Sequence, residues 1–139
     1  MEAARALADL TEISSQIESA VLVDPTGTVV ASTLGDSARA ESMARAAREL
    51  LAAAERAMGA AESRERLVQL QASTPEGCVF VVQDEERVVA AVTVPEPTVG
   101  LVFYDLKTCL RHVAGEELAP KPKARAGSKK AAESENGQG

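Results

Sequence analysis

AVLVDPTGTVVAS, residues 20–32, decides how this chain is read. Two apolar runs, Val21–Leu22–Val23 and Val29–Val30–Ala31, flank Asp24–Pro25–Thr26–Gly27. Asp first, Pro second and Gly fourth suit a type I turn. The Pro ring presets φ, the Asp carboxylate accepts bonds back from the turn, and Gly tolerates positive φ. A glycine there also forms the bulge that restores strand pairing. The stretch predicts a β-hairpin. Neither strand alternates with polar residues, so both are expected to be buried on both faces. A hairpin covered on two sides is the middle layer of a three-layer domain.

Upstream, Ala3, Ala6, Leu7, Leu10, Ile13 and Ile17 recur at steps of three and four, with Arg5, Asp9, Glu12 and Gln16 opposite. This predicts an amphipathic helix over 3–18 covering one face of the sheet. Downstream, 33–37 is a connection in which Asp36 or Ser37 can cap a second helix, from about 38 to 61. Met43, Ala47, Leu50, Ala54, Ala57 and Ala61 form its apolar stripe. Leu51 and Met58 widen the stripe on one side; Ala46, Ala53 and Ala60 extend it on the other. The arc exceeds the roughly 100° needed to sit on one layer. Small residues on a second face permit close approach of another helix; the plainer alternative is that alanines are good helix formers on a neutral flank. Arg45, Arg48, Glu49, Glu55 and Arg56 cover what remains.

Residues 66–73, RLVQLQAS, predict a third strand with Val68, Leu70 and Ala72 on one face and Leu67, Gln69 and Gln71 on the other. Clean alternation marks an edge. That edge carries no Pro, Gly or Lys in its middle to block pairing with another chain, so it needs a cover, and an identical edge from a second copy is the economical one. Two almost wholly apolar strands follow, 78–82 and 88–94, joined by the charged tip Asp84–Glu85–Glu86–Arg87. Pro95 and Pro97 end them. A last helix runs from Thr98 as cap to about Ala114, with Val99, Val102, Phe103, Leu106, Leu110 and Val113 inward and Asp105, Lys107 and Arg111 on the wet side.

After Gly115 the pattern changes. The folded part, 1–115, holds 10 Lys/Arg against 17 Asp/Glu; the remaining 116–139 is rich in Pro, Gly, Ser, Ala and charge, with no apolar period. It cannot bury enough surface to offset ordering entropy and is expected to be a disordered tail. Its cations Lys121, Lys123, Arg125, Lys129 and Lys130 suit an anionic surface or simply solubility.

The 139-residue chain has a formal net charge of −6 and only 2% aromatics. An acidic, aromatic-poor domain argues against nucleic acid as a partner of the folded part. Cys78 and Cys109 have no metal-ligand spacing and are expected to be buried thiols. The acid run 84–86 lacks a ligand-spaced partner. The single histidine, His112, stands beside no nucleophile motif. No cofactor, metal or catalytic residue is expected. No signal peptide or run of about 18 apolar residues is present, which predicts a soluble cytoplasmic protein.

The order helix, two strands, helix, three strands, helix resembles the roadblock/dynein light-chain family, and among bacterial members the MglB-like proteins. The resemblance spans residues 3–114. It rests on the 20–32 hairpin, on MARAARELLAAAERAM in the second helix, and on GCVFVVQDEERVVAAVTV before the last. It implies an α+β fold with a five-stranded antiparallel sheet, the outer helices on one face and the middle helix on the other. It also implies homodimers in which middle helices pack side by side and third strands pair. Ala46, Ala53, Ala57, Ala60, Val68 and Leu70 are then the dimer surface. Family members bind or regulate small Ras-like GTPases, which makes such a GTPase the expected partner and Arg45, Arg48, Glu49, Glu55 and Arg56 its contact. The chain has no GxxxxGK[ST] loop of its own. A competing class is a small-molecule sensor of the PAS or profilin-like kind, which needs a pocket with convergent polar groups.

Overall fold

The computed structural model describes residues 2–59 and 68–115. Its elements are α1 (Ala3–Ile13), β1 (Ile17–Val23), β2 (Val29–Ser32), α2 (Ser37–Ala57), β3 (Gln69–Thr74), β4 (Gly77–Gln83), β5 (Val88–Thr93) and α3 (Val99–Val113). The strands form one antiparallel sheet in the order β2-β1-β5-β4-β3. Side chains alternate across it. Ala20, Leu22, Phe80, Val82, Val89 and Ala91 meet α1 and α3, whereas Val21, Val23, Val81 and Ala90 meet α2. The fold is the α+β three-layer arrangement expected from the order of elements.

The Asp24–Gly27 turn forms as its residues dictate. Gly27 N–H donates to the Asp24 carbonyl at 3.0 Å, and Asp24 N–H to the Thr28 carbonyl at 3.0 Å. Gly27 has φ +92°, a value that L side chains adopt only with strain. Pairing then slips by one residue between Leu22 and Val23, leaving Val30 as a bulge.

Several boundaries and faces differ from expectation. The first helix stops at Ile13, and Ile17 begins β1 opposite Thr93. Gln16 explains the switch. Its carbonyl accepts from Val94 N–H and its Oε1 from Thr98 N–H at 2.6 Å, so sheet pairing overrides the helical period. β1 is buried on both faces as expected, whereas β2, an edge strand between α1 and α2, is only partly buried, with Val30 exposed. The second helix is capped by Asp36, whose carboxylate accepts from Ala38 N–H at 2.9 Å, and it ends at Ala57. Ala60, Ala61 and Leu67 lie outside the described residues, as does the whole of 116–139. The buried stripe of α2 is Ala40, Ala44, Ala47 and Leu51; Leu50, Ala57 and Met58 are exposed. Alanine on every side leaves the stripe's centre undetermined by apolarity alone. Thr98 stands at the cap of α3 without a side-chain cap bond, and Val99 is exposed. Asp105 is 8% exposed rather than on the wet side.

Candidate interaction surfaces

Residues of a helix turn by about 100° each. With Ala47 and Leu51 on the sheet, Arg48 and Glu55 fall on one flank of α2 and Ala46, Leu50, Ala53 and Ala57 on the other. The first flank overlooks the β1–β2 hairpin: Glu41, Arg45, Arg48, Glu49 and Ala52 line a cavity of about 570 Å³ with Gly27, Thr28 and Val29. The second flank therefore faces the half of the sheet made by β4 and β3. Ala46, Ala53 and Ala57 are exposed there, with Leu50 at 38%.

On the α2 side of that half-sheet Val81 of β4 is fully buried, but β3 is only partly covered. The helix packs on β1, β2 and β5. On β3, Leu70 and Ala72 pair with Val81 and Val79 and so share the α2 side. Both are only half-buried, and Val68, whose carbonyl accepts from Gln83 N–H, is 53% exposed. On the opposite face β3 presents Gln69, Gln71 and Ser73. The outer strand thus turns its apolar side to the face with the least helix. Of the residues expected at a dimer surface, the fold brings Ala46, Ala53, Ala57, Val68 and Leu70 to one side.

The charged residues of α2 divide. Arg45, Arg48, Glu49 and Arg56 are exposed, but Glu55 is half-buried, and its Oε2 accepts from Gln83 Nε2 at 3.2 Å. The seam with the hairpin was not visible in the sequence. An ideal Cβ on Gly27 would overlap Arg48 Nη1 and stand 3.0 Å from Arg48 Cζ, so the guanidinium lies directly over the glycine. Beyond Arg48 a second cavity, about 240 Å³, is lined by Asp24, Glu55, Gln83 and the 84–87 tip. Asp24 Oδ1 accepts from Thr26 N–H, Thr26 Oγ1 and Thr28 N–H at 2.9, 2.7 and 3.0 Å. The Thr26 hydroxyl, and after it Thr28 N–H, hold its carboxyl below the usual range.

Neither cysteine is placed for reaction. Both are buried, and burial, with Asp9 alongside, pushes the Cys109 thiol up to about 12. Among the described residues no group of three or more His, Cys, Asp or Glu is placed to hold a metal, and no helix is long and apolar enough to cross a membrane.

A family model for the Roadblock/LC7 domain matches residues 4–93. No curated protein matches the chain. Solved structures do. A Roadblock/LC7 domain from Streptomyces avermitilis is 18% identical with a TM-score of 0.72, covering 84% of this chain and 98% of that one. Myxococcus xanthus MglB is 14% identical at 0.68, covering 88% and 93%. The gliding protein MglB from Thermus thermophilus is 18% identical at 0.67, covering 84% and 90%.

Proposed function

Because the chain belongs to the Roadblock/LC7 family, we propose that it is a homodimeric, non-catalytic module that binds and regulates a small Ras-like GTPase, by stimulating hydrolysis or by scaffolding. The observation that carries this reading is the bare small-residue flank of α2 beside the open apolar face of β3. Apolar surface of that kind is usually covered in solution. A second copy covers both parts at once: two α2 flanks pack through Ala46, Ala53 and Ala57, and two β3 edges pair and remove the exposed backbone groups. The resemblance to MglB-like proteins supports a GTPase as the partner class.

In such a dimer the outward residues Arg45, Arg48, Glu49 and Arg56 of both copies form one composite surface that a monomer lacks. Mixed charge there orients a partner and sets on-rate more than affinity. The test is the double substitution Arg48→Glu with Arg56→Glu in a variant shown to remain dimeric. Pull-down with nucleotide-loaded Ras-like GTPases from the same genome should lose the complex seen with the unaltered protein. Unchanged binding removes the partner from this face. No binding of any such GTPase, in either nucleotide state, removes the partner class.

A further inference from the structure

Ile13 and Leu101 are large apolar side chains left 69% and 49% exposed, and both stand at one end of the seam between α1 and α3. The two helices run antiparallel. Thr98, at the start of α3, bonds to Gln16 just past the end of α1, and Asp9 lies beside Cys109 farther along. Ile13 is four residues after Asp9, and Asp105 is four before Cys109. Each therefore sits about 6 Å along its helix toward the same end. Leu101, four residues before Asp105, shares its flank. That flank faces α1. Phe103 reaches Phe80 of β4, and Asp105 lies about 160° round the helix from it. α1 packs over β1 and β2, on the side away from β4.

Two polar side chains at this end of the seam are buried and unpartnered. Ser14 and Asp105 are 4% and 8% exposed, and neither Ser14 Oγ nor Asp105 Oδ2 has a hydrogen bond. The carboxylate has no ion pair among the described residues. A pair of acceptors, one of them an acid, lacks both a donor and a positive charge. Water would supply the donor alone and leave Ile13 and Leu101 uncovered. A lysine supplies donor, charge and cover together, because its apolar stem lies on apolar side chains while its ammonium reaches past them. The compact ammonium enters a seam between helices more readily than the wide planar fork of arginine.

We infer that this end of the α1–α3 seam takes a lysine from a partner-protein segment, its stem between Ile13 and Leu101 and its ammonium on Asp105 and Ser14. The seam lies across the sheet from α2, so it stands apart from the dimer and from the GTPase reading. Selection of displayed random linear peptides on the full-length protein tests it. The enriched peptides should carry a lysine beside apolar residues. The chain has a net charge of −6, which by itself favours cationic peptides, and two variants separate that effect from the site. Asp105→Asn should weaken binding about ten-fold or more. Glu85→Gln, which removes an exposed acid of the β4–β5 tip, should leave it unchanged. Asn at 105 relieves a buried charge, so unfolding does not account for the loss, and matching thermal melts check this. Ile13→Ser should weaken binding several-fold through the lost stem contact. No enrichment, peptides without lysine, unchanged binding to Asp105→Asn, or an equal loss with Glu85→Gln would overturn the assignment. Enrichment that appears only after Lys121 and Lys123 are replaced by alanine would give the seam to this chain's own tail and overturn the outside partner.

Discussion

The two faces of the sheet are covered differently. On one, α1 and α3 bring Leu7, Leu10, Val102, Leu106 and Leu110 against Leu22, Phe80 and Val82, all buried, and Phe80 meets Phe103 edge-to-face at 4.9 Å. On the other, a single helix contributes Ala40, Ala44, Ala47 and one leucine, Leu51, and β3 keeps an open apolar side. Large side chains fill the first face to the density of a closed core. Small ones on the second hold α2 close to the sheet and leave a flank on which another backbone can come equally close. One face is closed by large side chains; the other is closed under α2 and left partly open over β3. Breaking each face should therefore have a different signature.

The largest effect belongs to the closed face. Phe80 is fully buried, and Phe80→Ala should cost about 3–5 kcal/mol of protomer stability, measured by urea unfolding. A loss below about 1 kcal/mol would mean that this face is loosely packed and that the contrast between the faces is false.

Ala53→Glu probes the open face. Ala53 is exposed in the protomer and glutamate is a good helix former, so protomer stability should move by no more than about 0.5 kcal/mol. Association should fail, because two unpaired carboxylates would be buried near the two-fold, a cost of several kcal/mol. Light scattering after size exclusion at micromolar concentration should give a dimer for the unaltered chain and a monomer for the variant. An intact Ala53→Glu dimer places the contact elsewhere, and a monomeric unaltered chain removes it.

What could be read from residues alone follows the same division. The hairpin, the element order and the edge position of β3 were legible, because Asp24, Pro25 and Gly27 act locally and alternation in 68–72 reports directly on burial. The end of α1 was not: Gln16 is tied to Val94 and Thr98, far away in sequence. Nor was the centre of the α2 stripe, since Leu50 and Leu51 are equally apolar and only the sheet chooses between them. The candidate surface was legible as composition, an excess of alanine. The contact of Arg48 with Gly27 was invisible, because it joins a helix surface to a turn 21 positions earlier. The burial of Asp105 contradicts its residue type, and no periodic reading recovers it.

Asp105 supplies the smallest expected effect and refines the contrast. Each face hides a polar side chain. On the α2 side Gln83, 6% exposed, donates to Glu55. On the α3 side Asp105 Oδ2 is buried without a hydrogen-bond partner among the described residues. Burial raises its pKa, since the charged form is the one that loses solvation. The folded protein then holds that proton more tightly than the unfolded chain does. Its contribution is therefore at its best below the ordinary carboxylate value of about 3.9. It falls as pH rises from there through the raised folded pKa and stays flat above. Asp105→Asn removes the titration. The difference in unfolding free energy between variant and unaltered protein should grow across that window and level off near neutral pH at about 1 kcal/mol in favour of Asn. Subtraction cancels the other carboxylates, including Asp24, whose depressed pKa gives a pH dependence of opposite sign. Urea unfolding from pH 3 to pH 7 measures it. A difference that does not vary with pH, or an Asn variant less stable at neutral pH, would show that Asp105 is paired when folded, and the closed face would then hold no uncompensated charge.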